Sequence, residues 1–564
     1  MSNTFHGGQL VAKALKKEGV TTVFALSGGH TMPIMYGLRE EGIEVISVRH
    51  ESAAGYAADA YARVSGKPGV VITTAGPGVT NCVTPMVEAF DAGTPVVHIG
   101  GGAFPAQYDS GVAQDSPTLQ LMTTVCKQAK RCLTTERLPE YVRDAFRRAA
   151  SPDSGPVYLE IPAPVLLGEV EESAAVFPEA DPVPSASFGD PERMKMVAEC
   201  LVQARRPVLV LGEQCRYSTL YGEYVKKLVD HLDMPVYTTF LPTTRGLFAD
   251  EIENPLFTLG EAAAAAADVI LELNVNNLQN LGKGRPPVFN GQAKVIQINE
   301  DKNKIGFNRD ADIGIVASPG AAAMQLYQAV KEQMPEPRRD HAWVEEARTL
   351  TEKARAPFLE AKTDAQQPPH PGRLAAEVMK FLREYGPDWH IICDGGDAAQ
   401  WMLYNAEAHY PGQVVKFSNL GTIGTGAGFT MGAWAADRKP VLYYVGDGSF
   451  GFHAMEFETF VRNGIPVICV ISNDSSWGMI RLSQELKNPD YIAQYGHHSI
   501  NLLPEMFPYE KLTELWGGLG LQIHRYEEVV PALKKILDTG KIGILNCEVD
   551  KKAYSPRTRS FAGL

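Results

Sequence analysis

The chain has 564 residues, 45% of them apolar, 52 glycines and a formal net charge of −13 at pH 7. That length exceeds one domain and points to three or four, and the acidic balance disfavours nucleic acid and anionic membrane surfaces as partners. The eight cysteines form no CxxC pair, which indicates neither a structural zinc site nor a disulfide framework and fits a reducing cytoplasm. No apolar run reaches the roughly 18 residues needed to span a bilayer.

Along the chain, residues 1–19 read as an amphipathic helix and not as a signal peptide. Val23–Leu26 reads as a strand, and Gly28-Gly29-His30 follows its carboxyl end. An imidazole there can shuttle a proton for a substrate hydroxyl, or simply start a helix. Glu44–Val48 reads as the next strand, with Glu51 at the head of an apolar helix over Ser52–Val64. A glutamate in that place answers the helix macrodipole, or, being buried, shares a proton with a ligand. A glycine-rich turn, Thr74-Ala75-Gly76-Pro77-Gly78-Val79-Thr80-Asn81, and a polar segment around Gln114 come next. The first α/β stretch closes with a strand over Pro156–Ile161.

The expected organisation is a first domain over 1–167, a Pro- and acid-rich linker over 168–192, and a central α/β domain over 193–330. Its strands are predicted at Pro207–Leu211, Pro235–Thr238, Val269–Leu273 and Lys294–Ile298. A charged linker with one helix follows over 331–372, then a third α/β domain over 373–551 and a basic tail over 552–564 with no helical pattern. In the third domain a strand over His390–Cys393 runs into Asp394-Gly395-Gly396-Asp397-Ala398, which opens a helix whose N–H groups can face phosphates. Pro440–Val445 reads as a strand, Gly446–Phe450 as a turn, His453–Asn463 as a helix and Pro466–Ile471 as a strand. This spacing puts Asp447 and Asp474 at the carboxyl ends of neighbouring parallel strands, where open α/β sheets bind ligands. Two hard oxygen ligands beside a helix N-terminus suit a magnesium ion holding a diphosphate; two ordinary Asp caps are the alternative. There is no GxxxxGK[ST], and Gly424-Thr425-Gly426-Ala427-Gly428 does not fit GxGxxG. A dinucleotide-dependent oxidoreductase, or a nucleotide-binding module without catalysis, is therefore the weaker reading.

Four motifs in order (His50-Glu51 with its alanine-rich helix, the Thr74–Asn81 turn, Gly421-Thr422-Ile423-Gly424, and Gly446-Asp447-Gly448 followed by Ser472-Asn473-Asp474) resemble the thiamine diphosphate-dependent enzymes over almost the whole chain. The resemblance implies three open, mainly parallel-sheet α/β domains that bind the pyrimidine, form the centre and bind the diphosphate, the first and third sharing one fold. It also implies a homo-oligomer, a dimer at least and a tetramer by expectation. The cofactor's thiazolium C2 must lose a proton to act, which needs a carboxyl at the pyrimidine and a bent cofactor. By family register Glu51 supplies the carboxyl, Thr74 and Asn81 line that half, Gly421 offers a carbonyl and Ile423 props the two rings. Gly396, Asp397, Ala398, Gly448, Ser449, Ser476, Trp477, Gly478 and Met479 surround the diphosphate. Asp447, Asp474 and the Ser476 carbonyl ligate magnesium, with Asp474 standing where the family usually has asparagine.

Gly28-Gly29-His30, Gln114 and the Ser475-Ser476-Trp477-Gly478 run are most similar to benzaldehyde lyase-type carbon–carbon lyases. This implies a lyase or carboligase of 2-hydroxy ketones, aldehydes or 2-oxo acids, with His30 and Gln114 as substrate-facing catalytic residues. An acetolactate synthase-like decarboxylating transferase is the alternative. Ala163 and Ala399 stand where that branch has aromatic walls, so a more aliphatic pocket lined by Trp477, Met479 and Ile480 is expected. Asn274-Val275-Asn276 stands where relatives with FAD or ADP in the central domain carry Gly-x-Arg, so neither nucleotide is expected there.

Overall fold

The computed structural model describes residues 4–179, 186–218, 221–239, 241–247 and 256–562. Runs such as Val441–Val445 and Val467–Ile471 are buried at every position. Unbroken apolar strands of this kind belong to parallel sheets covered by helices on both faces. Three such sheets form. The N-terminal sheet takes Thr22–Leu26, Glu44–Ser47, Gly69–Thr73, Val96–Gly102, Gln128–Arg131 and Val157–Pro162. Numbered along the chain, these lie in the order 2-1-3-4-6-5. The C-terminal sheet takes His390–Asp394, Val414–Lys416, Val441–Gly446, Val467–Asn473, Leu519–Ile523 and Gly543–Glu548, again in the order 2-1-3-4-6-5. The central sheet has five strands in the order 2-1-3-4-5. All neighbouring pairs in these sheets are parallel. Each sheet therefore has a switch point between its first and third strands, where loops diverge at the carboxyl edge and leave a crevice.

By contact the chain forms two compact units. One holds residues 1–184 with 427–438 and 453–465; the other holds 185–426, 439–452 and 466–564. Within the first unit the helix Glu51–Ser65 is packed unusually close to the helix Gly426–Asp437. A Cβ on Gly432 would lie 2.0 Å from the Ala57 carbonyl oxygen, and one on Gly428 would lie 2.5 Å from Tyr56 Cβ. The first of these helices is also fixed by Arg63, fully buried between Asp59 Oδ2 at 2.5 Å and Glu88 Oε1 at 3.2 Å. All eight cysteines are free thiols, seven buried and Cys200 half-buried. Among the described residues no helix is long and apolar enough to cross a membrane.

Several elements differ from the sequence expectation. The first helix starts only at Gly7, because His6 caps it and exchanges hydrogen bonds with Gln9. Thr4–His6 is instead a strand paired antiparallel with Glu169–Glu171, inside the stretch expected to be linker. The helix after the Asp447 turn begins at Glu456, not His453. A fifth central strand, Ile313–Val316, pairs at the sheet edge. The tail expected to lack a helix forms one over Pro556–Ala562. Ser555 Oγ accepts the Thr558 N–H at 3.2 Å ahead of that helix, an N-cap followed by proline at the first helical position.

Candidate functional site

Four neighbouring strands of the N-terminal sheet end in the loops that carry the residues singled out there. Glu51 follows Glu44–Ser47, His30 follows Thr22–Leu26, Thr74–Asn81 follows Gly69–Thr73, and Gln114 follows Val96–Gly102. Glu51 is the first residue of its helix and only 7% exposed. Its Oε2 accepts the Asn81 side-chain amide at 2.9 Å, which leaves Oε1 as the oxygen able to meet a ligand. His50 caps the helix, its Nδ1 accepting the Ser52 N–H at 3.2 Å.

His30, Thr74 and Gln114 form a second group. Thr74 Oγ1 donates to Gln114 Oε1 at 3.3 Å, and the Gln114 side chain lies against the His30 imidazole. Room for this comes from glycines. A Cβ on Gly101 would stand 2.7 Å from His30 Cβ, and one on Gly76 would stand 2.8 Å from the Gln114 carbonyl oxygen. Gln114 itself sits at φ 64°, a conformation that non-glycine residues adopt at a cost and that clusters at working sites. Burial lowers the His30 pKa from its ordinary value, with the Gln114 contact opposing; the ring is therefore neutral at pH 7. Its Nδ1 is buried and has no hydrogen-bond partner among the described residues.

The C-terminal sheet carries a group of its own. Asp394 ends its first strand, fully buried, and its carboxylate accepts the N–H groups of Gly395 at 2.6 Å, Gly424 at 3.0 Å and Gly426 at 2.9 Å, with the Tyr443 hydroxyl at 3.2 Å. This carboxylate pins the Gly421–Gly424 loop against the first and third strands. Asp447 and Asp474 follow the third and fourth strands directly. Asp447 is 3% exposed and its Oδ2 has no partner among the described residues. Burial, and then the facing Asp474 carboxylate, push its carboxyl well above the ordinary range. Asp474 is pushed up by burial as well, opposed by Arg481, whose Nη2 lies 3.8 Å from Asp474 Oδ2.

Asp447 and Asp474 line a cavity of about 520 Å3. Gly396, Asp397, Ala398, Gly421, Ile423 and Gly448 border it, as do Ser449, Ser476, Trp477, Gly478 and Met479. Two glycines are needed where side chains close over the loops: a Cβ on Gly448 would meet the Trp477 ring at 2.8 Å, and one on Gly396 would meet Met479 Sδ at 2.2 Å. The donor set fits a divalent cation with a diphosphate. A buried carboxylate, Asp447, and a half-buried one, Asp474, face each other with an orphaned oxygen, and a divalent cation relieves that pair without protonating it. Among the described residues no three His, Cys, Asp or Glu side chains converge, so the remaining oxygens of an octahedron fall to a backbone carbonyl such as that of Ser476, to phosphate and to water.

Some readings are corrected here. The Asp397 carboxylate turns into the protein, accepting Trp401 Nε1 at 2.8 Å and the Ser555 N–H at 2.9 Å, while the residue still borders the cavity in the turn expected to offer N–H groups to phosphate. Ala399 is fully buried and is not part of the lining, which takes Ala398 and Gln400 on either side of it. Arg481, the carboxylate of Asp394, and the tail residues Tyr554 and Arg557 that border the cavity were missed. The Ser555-Pro556 pair was the available signal for the tail helix, and the surplus charge of Asp474 was the signal for a nearby arginine.

Against known proteins, residues 5–122 match the family profile of the thiamine pyrophosphate enzyme N-terminal TPP binding domain, 194–326 the central domain and 394–547 the C-terminal TPP binding domain. An acetolactate synthase large subunit of Mycobacterium tuberculosis is 28% identical over 567 residues, covering 100% of this chain and 99% of the relative. A 2-hydroxyacyl-CoA lyase 2 of Danio rerio is 28% identical over 97% of this chain and 92% of its own length, and that of Homo sapiens 29% identical over 85% and 80%.

Removing the Asp394 carboxylate strands three N–H groups and a hydroxyl in a dry strand end, at about 1–3 kcal/mol for each donor left unsatisfied. Asp394→Ala is expected to lower the unfolding free energy by at least about 3 kcal/mol on that scale, measured by urea denaturation of the full chain. A loss below about 1 kcal/mol would show that the loop holds without it.

Proposed function

Because the chain belongs to the thiamine diphosphate-dependent enzymes, all three of whose domains it matches, we propose that it is a magnesium-requiring carbon–carbon lyase or carboligase that cleaves or forms 2-hydroxy carbonyl compounds. The observation that carries this is His30 Nδ1, a buried, unpartnered nitrogen on a neutral ring beside Gln114 and on the strand adjoining that of Glu51. Cleavage of a 2-hydroxy carbonyl compound begins with loss of the hydroxyl proton, and a neutral imidazole can take it. The name of the relatives called 2-hydroxyacyl-CoA lyase supports the same bond and widens the candidates to 2-hydroxyacyl thioesters. The second reading, a decarboxylating transferase acting on pyruvate or another 2-oxo acid, is supported by the acetolactate synthase whose full length this chain spans.

When bound, thiamine diphosphate supplies the nucleophilic carbon. Glu51 Oε1 holds or passes the proton at the pyrimidine, while Asn81 keeps the other carboxylate oxygen occupied. Gln114, propped by Thr74, orients the substrate oxygen against His30. Asp447 and Asp474, with the Ser476 carbonyl, hold magnesium; Gly448, Ser449 and the Gly396–Ala398 turn receive the diphosphate; Gly421 and Ile423 seat the rings. Trp477, Met479 and Ile480 wall off water with apolar surface. In the central domain Asn274 Nδ2 donates to Glu300 Oε2 at 3.2 Å and Asn274 Oδ1 accepts the Glu300 N–H at 2.9 Å, which favours a closed edge over a site for FAD or ADP. A cytoplasmic homotetramer, with the dimer as the smallest active unit, completes this reading.

A panel of acyloins, 2-hydroxyacyl thioesters and 2-oxo acids, followed for aldehyde and for carbon dioxide, separates the two readings. Aldehyde release without carbon dioxide is expected, and carbon dioxide from 2-oxo acids with no cleavage of any hydroxy compound would overturn the lyase. For the metal, Asp447→Ala is expected to lose retained magnesium and thiamine diphosphate on gel filtration, while Asp474→Asn, which restores the commoner family residue, retains both. Equal cofactor content in Asp447→Ala and the wild type would misplace the site. For His30, whose lowered pKa keeps it an available base until the pH falls below its ordinary value of 6.5, the acid limb of lyase kcat/KM is expected below 6.5. His30→Ala should abolish that limb and lower kcat by about 10²–10⁴-fold, the usual range for losing a general base. A variant with the wild-type profile would reduce His30 to a helix-start residue.

A further inference from the structure

The turn that aims Glu51 is held from outside. Arg49 and His50, the two residues ahead of it, donate their backbone N–H groups to one side chain. Glu456 Oε1 accepts Arg49 N–H at 2.9 Å and His50 N–H at 3.0 Å, and Oε2 accepts the Thr459 hydroxyl at 2.7 Å. Glu456 is 1% exposed, so these bonds form away from competing water and fix the backbone strongly. The same short segment ties the turn at two more places. His453 Nε2 lies 2.7 Å from Ser52 Oγ, which itself lies 2.7 Å from His50 Nδ1. Arg462 Nη2 donates to the Ser47 carbonyl oxygen at 2.7 Å. Residues 47–52 are thus bracketed by a segment that begins, in sequence, six residues after Asp447.

We propose that Glu456 is a positioning residue for Glu51: by gripping the Arg49 and His50 amides it sets the turn from strand to helix, and so the direction of the Glu51 carboxyl. A carboxyl at the first residue of a helix swings with that turn, and a misplacement of about 1 Å at a reacting group can cost 10²-fold in rate. The grip needs an acceptor more than a charge, because Oε1 takes the His50 amide and the shorter of the two bonds from the Arg49 amide, whose second, to Oε2, is 3.2 Å. A glutamine keeps that oxygen; an alanine removes it; an aspartate is one methylene too short to reach both.

The proposal rests on the reading of Glu51 as the activating carboxyl, and the test separates the two. In protein without cofactor, amide hydrogen exchange of residues 47–53 is compared for wild type, Glu456→Gln and Glu456→Ala. In thiamine diphosphate- and magnesium-loaded protein, exchange of the cofactor C2 proton is followed by NMR after acid quench, for the same variants and for Glu51→Gln with and without Glu456→Ala. Glu456→Ala is expected to exchange the 47–53 amides faster and to slow C2 exchange by about tenfold or more, with cofactor affinity within about threefold of wild type and Glu456→Gln close to wild type in both. On the Glu51→Gln background, Glu456→Ala should add no further loss, since a residue acting through another is silent once that one is gone. Wild-type C2 exchange in Glu456→Ala, or a loss that multiplies with that of Glu51→Gln, overturns the proposal. Wild-type exchange in Glu51→Gln instead overturns the activation reading. Should Glu456→Ala not fold, Glu456→Asp, which keeps charge and burial, carries the same expectations.

Discussion

The buried carboxylate of Asp394 is the constraint on which the C-terminal half-site depends. One side chain at the end of the first strand collects donors from its own turn, from a loop roughly thirty residues later and from the tyrosine of the third strand. The glycines it grips have no side chains to fill the strand edge, and Gly424, at φ 79°, sits where a Cβ would strike Phe452. Backbone of this kind has little packing of its own to hold it. A single multivalent acceptor in a dry setting does so, and the crevice at the switch point stays open because of it.

Around that pin the site is arranged to keep negative charge close and only partly relieved. Asp447 and Asp474 emerge from adjacent strands in parallel register, so their separation is set by the sheet and not by flexible loops. The segment following Asp474 is fastened in turn: Leu503 N–H reaches the Ser475 carbonyl at 2.9 Å and Trp477 N–H the Asn501 carbonyl at 3.1 Å. Arg481, held by the Tyr554 hydroxyl at 2.8 Å and 3.0 Å, offsets part of the charge that an aspartate brings in place of an asparagine. Full neutralisation by a protein cation would leave nothing for a metal to do; a partial one lowers the cost of burying the pair while keeping the site attractive to a divalent ion.

What could be read in advance was what is local. Strand, turn and helix start at Glu51 and at Asp447 follow one another within a few residues, and the unbroken apolar runs mark strands covered on both faces. The three parallel sheets follow from that pattern. What could not be read depends on approach between distant segments. Asp394 looks like one more strand-end aspartate until Gly424 and Gly426 are brought to it. Arg481 is one charge on an amphipathic helix until Asp474 lies beside it. The strand Ile313–Val316 alternates buried and exposed positions at a sheet edge, which is too short a pattern to separate from loop. The bond from the Ser555 N–H to the Asp397 carboxylate was equally hidden, because it joins the third domain to a tail in which Ser555 and Pro556 had not been taken as a cap.

The seven buried thiols are spread over all three α/β domains. Cys393, Cys469 and Cys547 lie on strands of the C-terminal sheet, Cys215 lies in the central core, and Cys82, Cys126 and Cys132 lie in the N-terminal region. Burial raises the pKa of each of these thiols, most of them far up, so they are inert to alkylation until the strands around them part. Each layer of the molecule therefore carries its own unfolding clock, and the order in which these sulfurs become labelled in denaturant records the order in which the layers come apart.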